Sequence, residues 1–474
     1  MKDWTVDAAV VGAGTAGLAA AYHLATAGFR VALVDRVPFE RSGARWVNAI
    51  ASWLYAETGI KASSGDECRG ANGPVTLRDR NWNIHLAFDH VDVHRVDMRR
   101  LVERLHALCV DAGVLALPEH AIDELEFDNG RPTALRLRHR RADGGMEGVR
   151  VRAALFVDAT GRRQALARLH PRYTEYWPPV PLSDTCTATQ RVFHISDPDG
   201  ARAFLERVRL QDGEAANLLG IDGGFSTVTM TVEIERGQIE ILAGSIADGQ
   251  HRTGAQLIRE FVSGEQWIGP ALFGGGGLIP LGRPYDRLTA PGFALVGDSG
   301  CQSFPAHGSG IGSGMAAGRM LAEALRGASD IGAPETLWRY QARFARRMGG
   351  LHAAFDVFRR FAQSLTSDEL VTLLSSGLTQ PSSALAGMIQ EMPRPVAREL
   401  VPALRALAKN RGLARRVIPT VARMSALHAW YRRYPAEMNE SALARWSRVG
   451  GRGPHQHNHI PPPPPPPKKT PHHQ

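Results

Sequence analysis

Residues 297–314 read GDSGCQSFPAHGSGIGSG, with six glycines, one carboxylate (Asp298), one proline (Pro305) and one histidine (His307). So much bare backbone suits a segment that lies directly against a ligand, where any Cβ would occupy the ligand's place. A second such stretch stands far upstream: VVGAGTAGL, residues 10–18, sets Gly12, Gly14 and Gly17 in GxGxxG register. There one glycine makes a tight turn, a second admits a pyrophosphate, and the third allows a helix to close on a strand. Thr15 and Ala16 lie in that turn, at a helix start whose free N–H groups and positive dipole end attract phosphate. Asp35 ends the following strand-like run RVALVD, at the spacing where a carboxylate accepts from ribose hydroxyls. Arg36 follows it, and Arg45 in SGARWVN is a candidate pyrophosphate contact. Together these residues ask for a dinucleotide.

The elements that must position them form a simple series. Residues 6–11, 16–27 and 30–35 read as strand, helix and strand, one half of a nucleotide-binding fold. Residues 97–112 form an amphipathic helix with Met98, Leu101, Leu105, Leu108 and Cys109 on one stripe. Strands are expected at 122–139 and 149–157, with turn-like DNGR and ADGG segments between them, the second running into VDATG, where Asp158 reads as a loop residue capping the next turn. Arg162 and Arg163 read as surface charges. TCTATQRVFHI, FSTVTMTVEIE and QIEILAGSI alternate and are β-branched, which predicts an antiparallel sheet before FALVGD returns to the first domain. The fold class is therefore α/β: a Rossmann-like cofactor domain over 1–170 and 286–330, with a substrate-binding sheet domain inserted at 171–285. A helical region follows at 331–448, then a Pro/His-rich tail at 449–474 that cannot build a core.

GxGxxG, ATG at 159–161 and GD at 297–298 together resemble the flavoprotein oxidoreductases related to para-hydroxybenzoate hydroxylase. The glycine-rich continuation is similar to geranylgeranyl reductases and flavin-dependent halogenases, although the chain carries no GWxWxIP segment. The resemblance implies FAD as cofactor, with Asp298 on the ribityl chain. Gly161, Gly297, Pro305, Gly308, Gly310 and Ile311 would then line the flavin, and Arg95 in HRVDMRRLVERL would support it. His307 is the candidate catalytic group, donating to a flavin oxygen or to substrate. Cys301 reads as a small buried hydrophobe.

No second GxGxxG is evident, so the reductant would be NAD(P)H bound transiently or a partner flavin reductase. An apolar or aromatic small molecule is expected as substrate. The first expectation is a monooxygenase. Reduction of an isoprenoid-like double bond and halogenation follow, and the rival is a flavin-binding, membrane-peripheral protein without turnover. The basic stripe at 413–434 could meet a membrane surface, but packing on the flavin domain accounts for its apolar face and is preferred, with Pro419 interrupting the helix.

Hydrophobic residues make up 43% and charged residues 22%, as in a globular protein. The net charge of +9 lacks a basic patch interleaved with aromatics, which argues against nucleic acid. Four cysteines without metal-ligand spacing suit free thiols in a reducing cytoplasm and give no metal site. The uncharged run 8–29 contains His23 and four glycines and is rich in alanine, against a membrane span.

Overall fold

The four-residue runs AAVV, VALV and LFVD are buried throughout, the mark of strands covered on both faces of a parallel sheet. A computed structural model, which describes residues 2–140 and 143–452, places them at its centre. The six-stranded order is Thr289–Ala290, Phe293–Leu295, Leu155–Asp158, Ala8–Val11, Val31–Val34 and Leu115–Leu117. All pairings are parallel except the first. The helices Thr15–Thr26, Met98–Asp111 and Ile311–Leu325 share a core with it.

A seven-stranded sheet runs Ile268–Pro280, Thr185–Ile195, Gln238–Ile246, Ser226–Glu233, Ala215–Leu219, Val75–Arg78 and Ile84–Phe88. It is antiparallel except where Ala215–Leu219 runs parallel to Val75–Arg78. It thus reaches outside 171–285 and takes two strands from residues 75–88, because Ala215–Leu219 still has an open edge to pair. Strands Val47–Ala51, Val93–Asp97 and Cys68–Ala71 form a small connecting sheet.

The expected strand segment 122–139 forms a hairpin, His120–Asp128 and Arg131–Arg140, which turns at the expected DNGR segment. The expected strand 149–157 divides between two sheets: Met146–Arg152 pairs with Arg131–Arg140 and Lys2–Thr5, and Leu155–Asp158 enters the parallel sheet.

Helices follow from Pro334 to Gly450. Pro419 does not interrupt its helix: Arg411–Tyr431 runs through it, with Pro419 on the exposed side. The last helix, Glu440–Gly450, passes the expected boundary at 448. Arg452 is anchored too, its N–H donating to Asp286 at 2.6 Å and its guanidinium lying 4.3 Å over the Tyr285 ring. The remaining tail, 453–474, lies outside the described residues. Among the described residues no helix is long and apolar enough to cross a membrane.

Candidate functional site

Gly12 follows the Ala8–Val11 strand at a φ of +106°, and a Cβ there would lie 2.3 Å from the Ala159 carbonyl oxygen. At Gly17 it would lie 1.8 Å from the Gly12 oxygen. These two glycines let strand, helix and the ATG segment close on one another. Gly14 differs, since a Cβ there would meet nothing nearer than the Gly43 Cα at 3.8 Å. Its bareness serves space that protein does not fill.

The second glycine cluster meets the first. A Cβ on Gly314 would sit 3.1 Å from the Ala16 Cβ, and one on Gly318 would sit 2.7 Å from the Ala20 nitrogen. Both partners advance by four residues in the same sense, so Thr15–Thr26 and Ile311–Leu325 run parallel with their N-termini at one end. No side chain caps either helix, at Gly14 or at Gly310. Two sets of first-turn N–H groups and two positive dipole ends thus share one place, which favours a diphosphate.

Asp35 is half-buried beside this end, its Oδ2 accepting from the Ala13 N–H at 2.7 Å and its Oδ1 from the Val37 N–H at 3.1 Å. Asp298 accepts from the Ser303 hydroxyl on Oδ1 at 2.5 Å, and among the described residues its Oδ2 has no donor. Burial pushes its carboxyl above the ordinary range. Asp158 is the internal clamp. It accepts from the N–H groups of Thr160, Leu166 and Ala167 and from the Ser299 hydroxyl, tying the ATG turn to the GD turn.

Sequence reasoning passed over the residues that hold the GD turn. The Gly297 N–H donates to Gln302 Oε1 at 2.6 Å, the Gln302 amide donates to Tyr340 at 3.0 Å, and the Tyr340 hydroxyl donates to the Leu295 carbonyl at 2.7 Å. The polar residues between the glycines of GDSGCQS were the available signal. Cys301 is fully buried.

Three arginines stand apart from the cradle. Arg95 is turned away from it and pairs with Glu240 at 2.7 Å and Glu233 at 3.4 Å on the large sheet, so its charge is spent between sheets. Arg45 is exposed and donates to the Glu40 carbonyl, and Arg36 is exposed. Arg162 is half-buried rather than a surface charge, donating to Thr185 at 3.3 Å and to the Val180 carbonyl at 3.1 Å. Gly161 opens a short 3-10 turn at a φ of +70° with nothing near its missing side chain. Pro305 and Ile311 are buried, and Gly308 turns at a φ of +77°.

His307 lies deep in the protein, yet its ring is exposed because it faces open space. The Ser309 N–H donates to its Nδ1 at 3.3 Å, so the hydrogen of the neutral ring is on Nε2. Desolvation lowers its pKa to about 4, and it is neutral at pH 7. Its ring is 4.8 Å from Phe304. Beside the same loop runs the edge strand Ile268–Pro280, whose Ile279 and Leu281 neighbour would each lie 3.5 Å from a Cβ at Gly308. Trp46 lies over Gly275 in the run Gly274–Gly277, and Leu278 beyond it is 43% exposed. Ile279, Leu281 and Trp46 make this wall apolar, with Trp46 filling the space over Gly275 and Gly277. A separate hollow of about 220 Å³ lies elsewhere, between Arg283, Arg423, Leu427, Trp430 and Gly450.

The residues present fit FAD. Asp35 suits a ribose, the paired helix N-termini suit a pyrophosphate, and Asp298 with the bare 308–310 segment suits the ribityl and flavin end. The comparisons agree. A family described as FAD dependent oxidoreductase matches residues 7–67. The digeranylgeranylglycerophospholipid reductase of Sulfolobus acidocaldarius is 24% identical over 391 residues, covering 78% of this chain and 80% of that protein. The menaquinone reductase of Mycolicibacterium smegmatis is 26% identical over 386 residues, covering 76% and 84%. Among solved structures, a geranylgeranyl bacteriochlorophyll reductase-like protein from Thermoplasma acidophilum superposes with a TM-score of 0.67 at 17% identity, over 87% of this chain and all of that one. With the cradle, the acids and these likenesses in agreement, the chain is an FAD-dependent oxidoreductase, similar over most of its length to digeranylgeranylglycerophospholipid reductases.

Proposed function

We propose that the protein reduces carbon–carbon double bonds in the isoprenoid chain of a lipid-like substrate. The observation that carries this reading is the likeness, over three quarters of the chain, to two reductases whose named substrates differ in headgroup. A glycerophospholipid and a quinone have the polyprenyl chain in common, so the chain is the part a shared site would recognise. The apolar wall at Gly274–Gly277, with Trp46 against it, suits a slender hydrocarbon. Monooxygenation, the first expectation from sequence, has less support than this reading.

Reduced FAD supplies the electron pair and hydrogen that saturate such a bond, and one further proton completes the alkane. The protein's share is to hold the diphosphate at the two helix ends and to fix Asp298 by Ser303. It also lines the reacting end with apolar surface that excludes water. His307, neutral with its hydrogen on Nε2, is a hydrogen-bond donor at that wall. It orients the flavin edge or a polar group of the substrate. The reductant is NAD(P)H or an electron-donating partner.

The test is a single turnover under nitrogen. Protein reduced with dithionite is mixed with a geranylgeranyl glycerolipid in detergent micelles. The flavin absorbance should return while the lipid gains one H2 per flavin reoxidised. Reoxidation only on admitting oxygen, with an oxygen atom in the product, would replace reduction by oxygenation.

A further inference from the structure

Two C-terminal helices each leave a face unused by the fold. In Ala397–Lys409, Glu399 and Ala406 are buried, while Leu400, Val401 and Leu404 are 52%, 54% and 65% exposed. Leu400, Leu404 and Ala408 recur at four-residue steps and so share one side, with Arg398, Arg405 and Lys409 in a row next to it. In Arg411–Tyr431, Leu413, Met424, Leu427 and Tyr431 form the inner face, while Ile418 and Val421 are 55% and 53% exposed. Arg411 and Arg415 precede that outer apolar patch, and Arg432 and Arg433 follow it.

The charge is one-sided. Residues 394–433 contain ten Lys or Arg and a single acid, Glu399, which is turned inward and accepts from Ser382. Arg398, Arg405, Lys409, Arg411, Arg415 and Arg423 form no ion pair among the described residues. Exposed leucines between rows of unpaired cations are the pattern of a helix that lies in a membrane interface, apolar side in the acyl boundary and cations at the phosphates. A second copy fits poorly, since facing faces would bring these unpaired cations against one another. Nucleic acid would leave the leucines in contact with phosphate.

We propose that the outer face of Ala397–Lys409 and Arg411–Tyr431 docks on a bilayer containing anionic lipid. The placement is useful for a lipid-like substrate, although the docking does not depend on which reaction the site performs. Arg411–Tyr431 packs on Gly350–Gln363, where a Cβ on Gly350 would lie 2.8 Å from the His428 carbonyl oxygen. That helix in turn sets Phe355 with its ring 4.6 Å from Phe304, next to His307. One helix separates the docked face from the flavin loop.

The experiment is vesicle flotation of the full-length, FAD-loaded protein, on phosphatidylcholine alone and on phosphatidylcholine mixed with phosphatidylglycerol. Turnover is not read, so failure here is distinct from failure of the reductase reading. Binding should be at least about tenfold stronger to the anionic vesicles, because the lipid charge attracts each cation that reaches the surface. Leu400→Asp with Leu404→Asp should lower it by about tenfold or more at unchanged flavin content and melting temperature. Should that pair unfold the protein, Arg398→Glu with Arg405→Glu is read in its place and should lower binding similarly. Equal binding to both vesicles, or anionic binding unchanged in the folded variant, overturns the proposal. So does a dimer by light scattering that dissociates with either variant.

Discussion

The cofactor cradle and the layer that covers it are held by opposite means. In the cradle, helices approach through Ala16, Ala20, Gly314 and Gly318, and backbone does most of the work. Across the cover, arginine and carboxylate side chains are buried in pairs. Asp356 receives Arg283 at 3.1 Å and Arg359 at 2.6 Å, while Asp184 receives Arg359 at 3.0 Å and Arg360 at 2.7 Å. Arg69 and Arg95 bridge the small sheet to Glu240 on the large one. A diphosphate needs close, uniform approach, which side chains would spoil. Layers joined from distant parts of the chain need directional contacts that specify one docking, a role suited to buried ion pairs.

The comparison breaks most sharply at Gly17. Gly17→Val would place Cβ 1.8 Å from the Gly12 oxygen, and the strand-to-helix turn must open. Purified Gly17→Val should be colourless, with a stability loss above about 4 kcal/mol in urea unfolding. A yellow, stable variant would mean that the turn does not need this closeness. Asp356→Ala should act the other way. It leaves Arg283 and Arg359 buried without their shared acid, a cost of about 3–5 kcal/mol. The protein that remains folded should nonetheless keep its flavin. Loss of flavin at unchanged stability would erase the distinction between the two regions.

Asp298→Asn sharpens it inside the cradle. The amide keeps the carboxylate's shape and the Ser303 contact, and removes only the charged acceptor. A hydrogen bond to a charged group contributes about 1.5–3 kcal/mol. Titration of apoprotein with FAD should therefore show affinity reduced by about tenfold to a hundredfold, with the apoprotein melting unchanged.

The same contrast explains what could be read from sequence. Gly12, Gly14, Gly17, Gly297 and Gly310 were legible because a local absence of side chains is itself the signal, and Asp35 and Asp298 stand at strand ends beside it. The strand VTLR was not legible, because its partner Ala215–Leu219 lies far along the chain and a four-residue run carries no mark of that pairing. Arg95 shows the limit on single residues. An arginine at the entry to a helix reads alike whether it faces a phosphate or two glutamates, and here the glutamates lie 138 and 145 residues away. Gln302 and Tyr340 were missed for a related reason, since their value lies in a three-bond chain that only folding assembles.

The smallest effect is expected at His352, where the two regions touch. It is fully buried on the helix Gly350–Gln363, both ring nitrogens lack partners among the described residues, and Phe304 and Phe344 lie edge-on to it at 6.0 Å. Desolvation, and secondarily the neighbouring His307, lower its pKa to about 3 from 6.5. The folded protein therefore holds it neutral where the unfolded chain takes up a proton. The resulting stability is complete above about pH 6.5 and falls as pH drops toward about 3, by about 1.4 kcal/mol per pH unit for one proton. His170, buried and lowered to about 4, adds to the slope over part of that window. Asp356, held well below the usual carboxylate range amid Arg360, Arg359 and Arg283, loses its contribution only at lower pH still. His352→Leu should therefore flatten the dependence of unfolding free energy on pH between about 6 and 4.5 by close to one proton, while Asp356→Ala leaves that slope in place. Urea titrations across that range measure it. An unchanged slope in His352→Leu would mean that this ring reaches water in the folded protein and that the seam between cradle and cover is wet.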